Sequence, residues 1–153
     1  MIRTAFYAAT FAAFALPVAA QTVLTVSNDD SSLEYDLAAL QALPQVEYAT
    51  KNAFIDGSSV FSGPLLRDVL SSSNLLDDEM VRMVAINDYE ISFPVSDALE
   101  FDVIIATQMD GAPMSVREKG PLWVMYPISS DPKLEDSIYK GRIIWQLEEI
   151  IAE

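Results

Sequence analysis

The sequence predicts a single α+β domain that is rich in strands and carries short helices. Runs of alternating apolar and polar residues recur along the chain, most clearly at 81–86 and 90–95. The helical patterns are short and begin at capping residues, as at Asp36. A length of 153 residues, with no internal repeat and no low-complexity linker, corresponds to one domain.

The first twenty residues have the pattern of an export signal. Arg3 precedes an apolar run over 5–16, and the segment ends in Val18-Ala19-Ala20. Small side chains three and one positions before the cut suit a signal peptidase, and a run of about a dozen residues is short for a membrane span. We therefore expect a signal peptide over 1–20, a mature domain over 21–153, a periplasmic location and no membrane insertion after cleavage. An uncleaved N-terminal anchor is the alternative.

The composition narrows the function classes. Cleavage after residue 20 lowers Lys+Arg from 9 to 8 against 23 acidic residues, for a net charge of −15. Such a surface repels phosphates, so nucleic acid and anionic membranes are not expected as partners. Cysteine and histidine are both absent, which excludes disulfides, the usual zinc sites and Ser-His or Cys-His nucleophile pairs. The sequence also lacks an EF-hand loop and a glycine-rich phosphate loop.

The first half of the chain is predicted to alternate strands with two short helices. Turn residues follow the first strand, and Pro44 ends the first helix. Pro64 is expected to open the second helix, whose apolar residues share one face. The predicted elements are strands at 23–26, 46–50 and 60–63 and helices at 37–43 and 65–70.

The second half is predicted to begin with a β-hairpin and to end on a strand. Asn87-Asp88-Tyr89 separates the two alternating runs, and Asn and Asp tolerate the left-handed backbone of a tight turn. Ser96 or Asp97 is expected to cap a brief helix through Glu100. The other predicted elements are strands at 103–109, 122–126 and 142–147 and a helical segment within 134–140.

The candidate site is the segment 117–127, in which Arg117, Lys119 and a Gly-Pro turn precede a strand with two aromatic residues. An aromatic ring can stack on a planar ligand while guanidinium and ammonium groups bind its carbonyl or phosphate oxygens. The simpler alternative is a β-connection with solvated charges. Trp123 and Tyr126 are equally compatible with the two faces of a core strand.

Other conspicuous residues have simple structural explanations. Core packing explains Trp145. Asp88 and Tyr89 are expected at a hairpin tip, where a turn accounts for them. The 23 carboxylates are scattered through loops and helix starts, so capping and solubility explain them and no acid–base pair is evident.

Six short motifs occur in series along the chain, at 61–70, 85–89, 93–95, 109–114, 120–123 and 144–145. Together they resemble the oxidoreductase molybdopterin-binding domain, which has the sulfite oxidase fold. The resemblance runs from about residue 23 to residue 150. It implies a strand-rich, sulfite-oxidase-type molybdopterin-binding fold with short helices.

The resemblance also implies a changed site. In enzymes of that family a cysteine thiolate in the segment that matches 50–56 holds molybdenum, and this chain has no cysteine. Those enzymes grip the pterin phosphate with a His and an Arg around the Gly-Pro turn, where this chain has Lys119 and Trp123. Ile144 stands where a lysine is common. A lost metal ligand beside retained cationic and aromatic residues implies a pterin pocket without molybdenum chemistry.

Small exported members of this fold that lack the cysteine are similar to periplasmic pterin-responsive proteins. These proteins bind a reduced pterin and report it to a membrane-bound enzyme that makes or degrades cyclic di-GMP. The similarity implies a non-catalytic sensor, with a pterin rather than molybdopterin as ligand and the periplasmic domain of such an enzyme as partner. The implied ligand contacts are Asn52, Asp88, Tyr89, Arg117, Lys119 and Trp123, with Asp88 suited to the aminopyrimidine edge.

Two alternatives remain open. The first is a molybdenum-cofactor-dependent oxidoreductase with a non-cysteine ligand such as Ser58 or Asp56, although a thiolate suits high-valent molybdenum better in this fold. The second is an interaction module without a small ligand, in which the cationic loop docks on an acidic partner.

Overall fold

The structure, a computed structural model, describes residues 21–153. The predicted export signal, 1–20, lies outside the described residues. In chain order, the strands are β1 Thr22–Ser27, β2 Ser32–Asp36, β3 Gln45–Lys51, β4 Ser58–Pro64, β5 Met80–Ala85, β6 Glu90–Pro94, β7 Ile104–Ala106, β8 Gln108–Met109, β9 Ala112–Pro113, β10 Trp123–Met125 and β11 Leu147–Ala152. The helices are α1 Leu37–Ala42, α2 Leu66–Ser72, α3 Val95–Glu100 and α4 Ser137–Lys140, with 3-10 turns at Val116–Glu118, Ile128–Ser130 and Pro132–Glu135. No helix within 21–153 has the length and apolar character needed to cross a bilayer.

The largest sheet has five strands in the order β2-β1-β11-β5-β6. The last strand of the chain, β11, runs parallel to β1 and antiparallel to β5. The hairpin predicted at 81–95 forms the other edge as β5 and β6, with Met83 opposite Ile91. Asp88 has a φ of 62° in the connecting turn, which confirms the left-handed turn expected there.

A second sheet lies beside the strands that flank the cationic segment. It has the order β3-β4-β8-β9, and the short pair β7 and β10 lies beside it. Antiparallel pairing places Trp123 opposite Ala106. Gly63 in β4 passes so close to β7 that a Cβ at this position would lie 2.0 Å from the backbone oxygen of Ile105. The packing of β4 against β7 therefore requires glycine.

Most predicted elements are confirmed with shifted ends. The carboxylate of Asp36 accepts a hydrogen bond from the Ala39 backbone N–H at 2.6 Å, as expected of an N-cap. Pro64 does not open the second helix, because it ends β4 and the helix begins at Leu66. The strand expected over 103–109 is divided into β7 and β8. Strand β2 was not predicted from the sequence.

Two predictions in the second half are wrong. The terminal strand is not 142–147 but β11, because Gln146 has a φ of 55° and this left-handed residue interrupts extended structure just before Leu147. Asp97 does not cap α3, which begins after Pro94 without a side-chain cap. Its carboxylate instead turns into the core, where only 6% of Asp97 is exposed.

Asp97 holds a buried polar network that connects three parts of the chain. It accepts hydrogen bonds from the Tyr126 hydroxyl at 2.6 Å and from Arg142 at 2.5 Å. Burial raises the pKa of Tyr126, and the hydrogen bond to Asp97 raises it further, so the phenol stays protonated and donates. The guanidinium of Arg142 also lies over the Tyr139 ring at 5.6 Å. The network thereby joins α3 and the strand around Tyr126 to the segment 139–145.

Candidate functional site

A tight turn presents the two cations that the sequence singled out. Glu118 accepts hydrogen bonds from the hydroxyl and the backbone N–H of Ser115, at 2.8 and 3.2 Å. The hydroxyl bond, followed by the backbone bond, lowers the pKa of Glu118. Arg117 is exposed beside it, whereas Lys119 takes a left-handed conformation with a φ of 67°. The turn therefore points the two cations to different surroundings.

Lys119 reaches into a cluster of aromatic rings. Its ammonium lies 5.1 Å from the centroid of Trp145, 5.7 Å from that of Phe54 and 5.9 Å from that of Trp123. It also donates a hydrogen bond to the backbone oxygen of Phe54 at 3.2 Å. Cation–π attraction and this hydrogen bond both hold the ammonium group in place. Lys119 thus connects the loop around Phe54 to Trp123 and Trp145.

Trp123 belongs to the core and not to a ligand surface. Only 1% of it is exposed, and its ring packs 5.8 Å from that of Phe61. The indole N–H donates to the backbone oxygen of Lys119 at 2.6 Å. The stacking role expected for Trp123 is not supported, because both faces of β10 are covered and a ligand from solvent cannot reach the indole.

Trp145, and not Trp123, is the tryptophan that lines a cavity. It is half-buried, its ring lies 4.6 Å from that of Phe54 and 6.2 Å from that of Trp123, and it lines a cavity of about 300 Å³. We call this space the aromatic cavity. Its walls are Phe54, Ala85, Asn87, Tyr89, Lys140, Gly141, Ile143 and Trp145. The assignment of Trp145 to the core alone was therefore incomplete.

A second space, which we call the lysine cavity, adjoins the first. It has a volume of about 420 Å³ and is lined by Lys51, Asn52, Ala53, Ile55, Gly57, Ile128, Glu135 and Lys140. Lys140 lines both cavities, and Phe54 faces the aromatic cavity while its neighbours Ala53 and Ile55 face the lysine cavity. The loop that the resemblance assigned to the missing cysteine therefore separates the two spaces.

The cations without a carboxylate partner gather around this loop and the neighbouring turn. Five of the eight Lys and Arg residues within 21–153 form ion pairs with carboxylates. The other three in this part of the chain are Arg117, Lys119 and Lys140. Lys119 contacts two rings of the aromatic cavity, Lys140 lines it, and the turn that carries Arg117 bonds to Gln146 beside Trp145. In a domain with a net charge of −15, this is an unusual concentration of unpaired positive charge.

The structure brings together some of the six residues named from the sequence and separates others. Tyr89 lines the aromatic cavity and Asn52 the lysine cavity, while Lys119 lies behind the wall that Phe54 and Trp145 form. Asn52 also holds the loop, since its side-chain oxygen accepts from the Phe54 N–H at 2.7 Å. Asp88 and Arg117 are exposed and line neither cavity.

Sequence reasoning missed Phe54, Asn87 and Lys140 as cavity residues. Asn87 lies next to Asp88 in the same turn and lines the cavity, and its side-chain oxygen accepts a hydrogen bond from the Tyr89 backbone N–H at 3.4 Å. Lys140 ends α4 far from the Gly-Pro turn in sequence. Lys140 is one of few cations in a strongly acidic chain, and this made it a possible binding residue. Nothing in the neighbouring sequence indicated which cavity it would line.

The residues around the loop do not fit a thiolate-held molybdenum. The chain has no cysteine, so the loop cannot supply the sulfur ligand that the resemblance implies. Asp56 and Ser58, the alternative ligands, are both exposed. Within 21–153 no group of three or more acidic residues is arranged to hold a metal ion. High-valent molybdenum in this fold is suited to sulfur ligation, which this loop lacks.

Comparisons with known proteins agree on the fold. The structure is similar to the crystal structure of the sulfane dehydrogenase SoxCD from Paracoccus pantotrophus, with a TM-score of 0.62 and 12% sequence identity. The similarity covers 84% of this chain and 37% of the SoxCD chain, so this protein spans well under half of that one. No curated protein matches the sequence. The chain thus has a sulfite-oxidase-type molybdopterin-binding fold.

A family match agrees with this fold. The family model described as oxidoreductase molybdopterin binding domain matches residues 14–130. The match covers strands β1 to β10 and those cavity-lining residues that precede residue 130. Because it spans more than half of the chain, the protein belongs to the oxidoreductase molybdopterin-binding domain family.

Proposed function

We propose that this protein is an exported, non-catalytic binder of a reduced pterin, held in the aromatic cavity without molybdenum. The observation that carries the proposal is the cavity itself, a space of about 300 Å³ with three aromatic walls and a lysine that has no carboxylate ion-pair partner within 21–153. This volume is at the lower end of the roughly 300–1,000 Å³ typical of small-molecule sites. It suits a compact bicyclic ring better than a dinucleotide.

The wall residues match the groups of a pterin ring. Trp145 and Phe54 offer faces for stacking on a flat heterocycle, and Tyr89 is 52% exposed at the mouth. Asn87 offers an amide for the pyrimidine edge, which presents both donors and acceptors. Lys140 suits a carbonyl oxygen or an anionic substituent of the ligand. Lys119 supports the site from behind by holding Phe54 against Trp145.

The binding half of the proposal is tested by calorimetric titration with tetrahydrobiopterin and reduced monapterin under anaerobic conditions. We expect wild type to bind and Trp145→Ala to bind more weakly by about fivefold or more, since base–aromatic stacking contributes roughly 1–3 kcal/mol. Tyr35→Ala is the matched control, because Tyr35 is a half-buried aromatic residue in β2 that lines neither cavity. A wild-type protein that binds neither pterin would refute the proposal.

The absence of molybdenum chemistry is tested separately. Elemental analysis of protein purified from its own host is expected to show no stoichiometric molybdenum. One molybdenum per chain would overturn the non-catalytic assignment and support the oxidoreductase alternative instead.

We further propose a signalling role, which is supported by the resemblance to periplasmic pterin-responsive proteins. The partner is the periplasmic domain of a membrane-bound enzyme that makes or degrades cyclic di-GMP. Cellular cyclic-di-GMP levels are expected to differ between cells that carry wild type and cells that carry Trp145→Ala, and to be equal between wild type and Tyr35→Ala. Unchanged levels in the Trp145→Ala cells would remove the signalling role and leave pterin binding in place.

A further inference from the structure

We infer that the ligand is a pterin with an anionic side chain, whose ring occupies the aromatic cavity and whose tail crosses Lys140 into the lysine cavity. This inference deepens the proposed function and rests on it. A ligand confined to the aromatic cavity would leave the larger neighbouring space, about 420 Å³, unused. Two neighbouring cavities that share Lys140 as a lining residue instead fit a ligand with two chemically different parts.

The two cavities differ in character as such a ligand requires. The aromatic cavity is walled by Phe54, Tyr89 and Trp145, whereas the lysine cavity has no aromatic wall and carries Lys51 and Lys140. A flat ring is therefore favoured in the first and a charged, flexible group in the second. The loop residues Ala53 to Ile55 separate the spaces, so a tail attached to the ring passes from one to the other beside Lys140.

The charges of the lysine cavity favour a single anionic group. Lys51 is paired with Glu135 at 2.9 Å, so this pair contributes no net charge. Lys140 has no carboxylate ion-pair partner within 21–153, although Glu135 lies near enough that Lys140 helps to lower its pKa. Among the residues that line this cavity, two lysines thus face one glutamate, an excess of one positive charge. An anionic tail would complete the pairing of Lys140 in a domain that otherwise repels anions.

A phosphate and a carboxylate share this chemistry, and titration with three reduced pterins separates them. Tetrahydrobiopterin has an uncharged tail, tetrahydrofolate has a glutamate tail, and dihydroneopterin phosphate has a phosphate tail. We expect at least one of the two anionic ligands to bind about two- to fivefold more tightly than tetrahydrobiopterin, the size of one solvent-exposed ion pair. The preferred anionic ligand identifies the tail.

The role of Lys140 is tested with Lys140→Met. This change is expected to weaken the anionic ligands more than tetrahydrobiopterin and thereby to abolish the preference for the anionic ligand. Lys133→Met is the matched control, because it removes one positive charge from a lysine that lines neither cavity and pairs with Glu100. It should leave all three affinities unchanged.

The outcomes distinguish this inference from the proposed function. If wild type binds none of the three pterins, the proposed function fails and the inference fails with it. If all three bind equally, or if Lys140→Met weakens neutral and anionic ligands alike, the inference is refuted while pterin binding stands. Raising the salt concentration should narrow the preference in wild type and leave the affinity for tetrahydrobiopterin unchanged.

Discussion

Replacing the two tryptophans one at a time separates a core residue from one that lines the aromatic cavity. Trp123 is fully buried, and a tryptophan buries about 150–250 Å². At roughly 25 cal/mol per Å² this corresponds to about 4–6 kcal/mol, near the roughly 3–5 kcal/mol found when Phe or Trp in a core is cut to Ala. We therefore expect Trp123→Ala to unfold the domain or nearly so, since total stabilities are about 5–15 kcal/mol.

A milder change keeps the comparison measurable. Trp123→Phe retains most of the apolar area but loses the hydrogen bond to the Lys119 backbone oxygen, for a cost of about 1–3 kcal/mol. Trp145→Ala removes a half-buried ring and is expected to cost about 2 kcal/mol, roughly half the burial term of a core tryptophan. Only Trp145→Ala should also weaken pterin binding.

The assay uses intrinsic fluorescence, because the chain has only these two tryptophans. Trp123→Phe leaves Trp145 as the single reporter, and Trp145→Ala leaves Trp123. Iodide is expected to quench Trp145 in the first variant and to leave Trp123 protected in the second. A pterin should change the emission of Trp145 directly. Equal iodide quenching in the two variants, or unaltered pterin affinity in Trp145→Ala, would refute the assignment of the two rings.

Three further predictions concern the framework of the site. Gly63→Ala is expected to lower the free energy of unfolding, measured by urea titration, by about 2 kcal/mol or more. The added methyl group would lie against the backbone of β7, which cannot move away without breaking the β7–β10 pair. An unchanged urea midpoint would contradict the close approach of β4 to β7. Arg142→Met leaves the Asp97 carboxylate without its cation and should lower the free energy of unfolding by about 2–3 kcal/mol. This is somewhat less than for a fully buried pair, because Arg142 is partly exposed. Equal stability of variant and wild type would show that the Asp97 network does not stabilise the fold. The pKa of Glu135 lies below its ordinary value of 4.5, chiefly because Lys51 donates a hydrogen bond to it. The ion pair therefore stabilises the fold above pH 4.5, and this contribution is lost as the pH falls through the lowered pKa. In urea unfolding, Glu135→Gln should lose less stability between pH 6 and pH 3 than wild type, and identical losses would contradict the ion pair.

The local elements were largely predictable because local interactions form them. The cap at Asp36, the left-handed turn at Asp88 and the alternating runs of β5 and β6 each depend on neighbours within a few residues. The failures occurred where a distant contact prevailed over a local pattern. Asp97 looked like a helix cap, yet Tyr126 and Arg142, both far along the chain, hold its carboxylate in the core.

The candidate site divides in the same way. The segment 117–123 was correctly found as a cationic turn beside a strand, and Tyr89 and Asn52 do line cavities. The ring that lines the cavity was misassigned because strand alternation says which residues share a face and not what covers that face. Both faces of β10 are covered, so Trp123 is buried, while Trp145 lies at the edge of the aromatic cavity.

The sequence by itself determined the family, the strand-rich architecture and the absence of a thiolate ligand, because these follow from residue types and their order. Only the tertiary structure decided that Lys140 lines both cavities and that Lys119 contacts both Phe54 and Trp145. Those contacts join residues tens of positions apart. Their geometry depends on how sheets and loops pack against each other, which no local pattern of charge or hydrophobicity specifies.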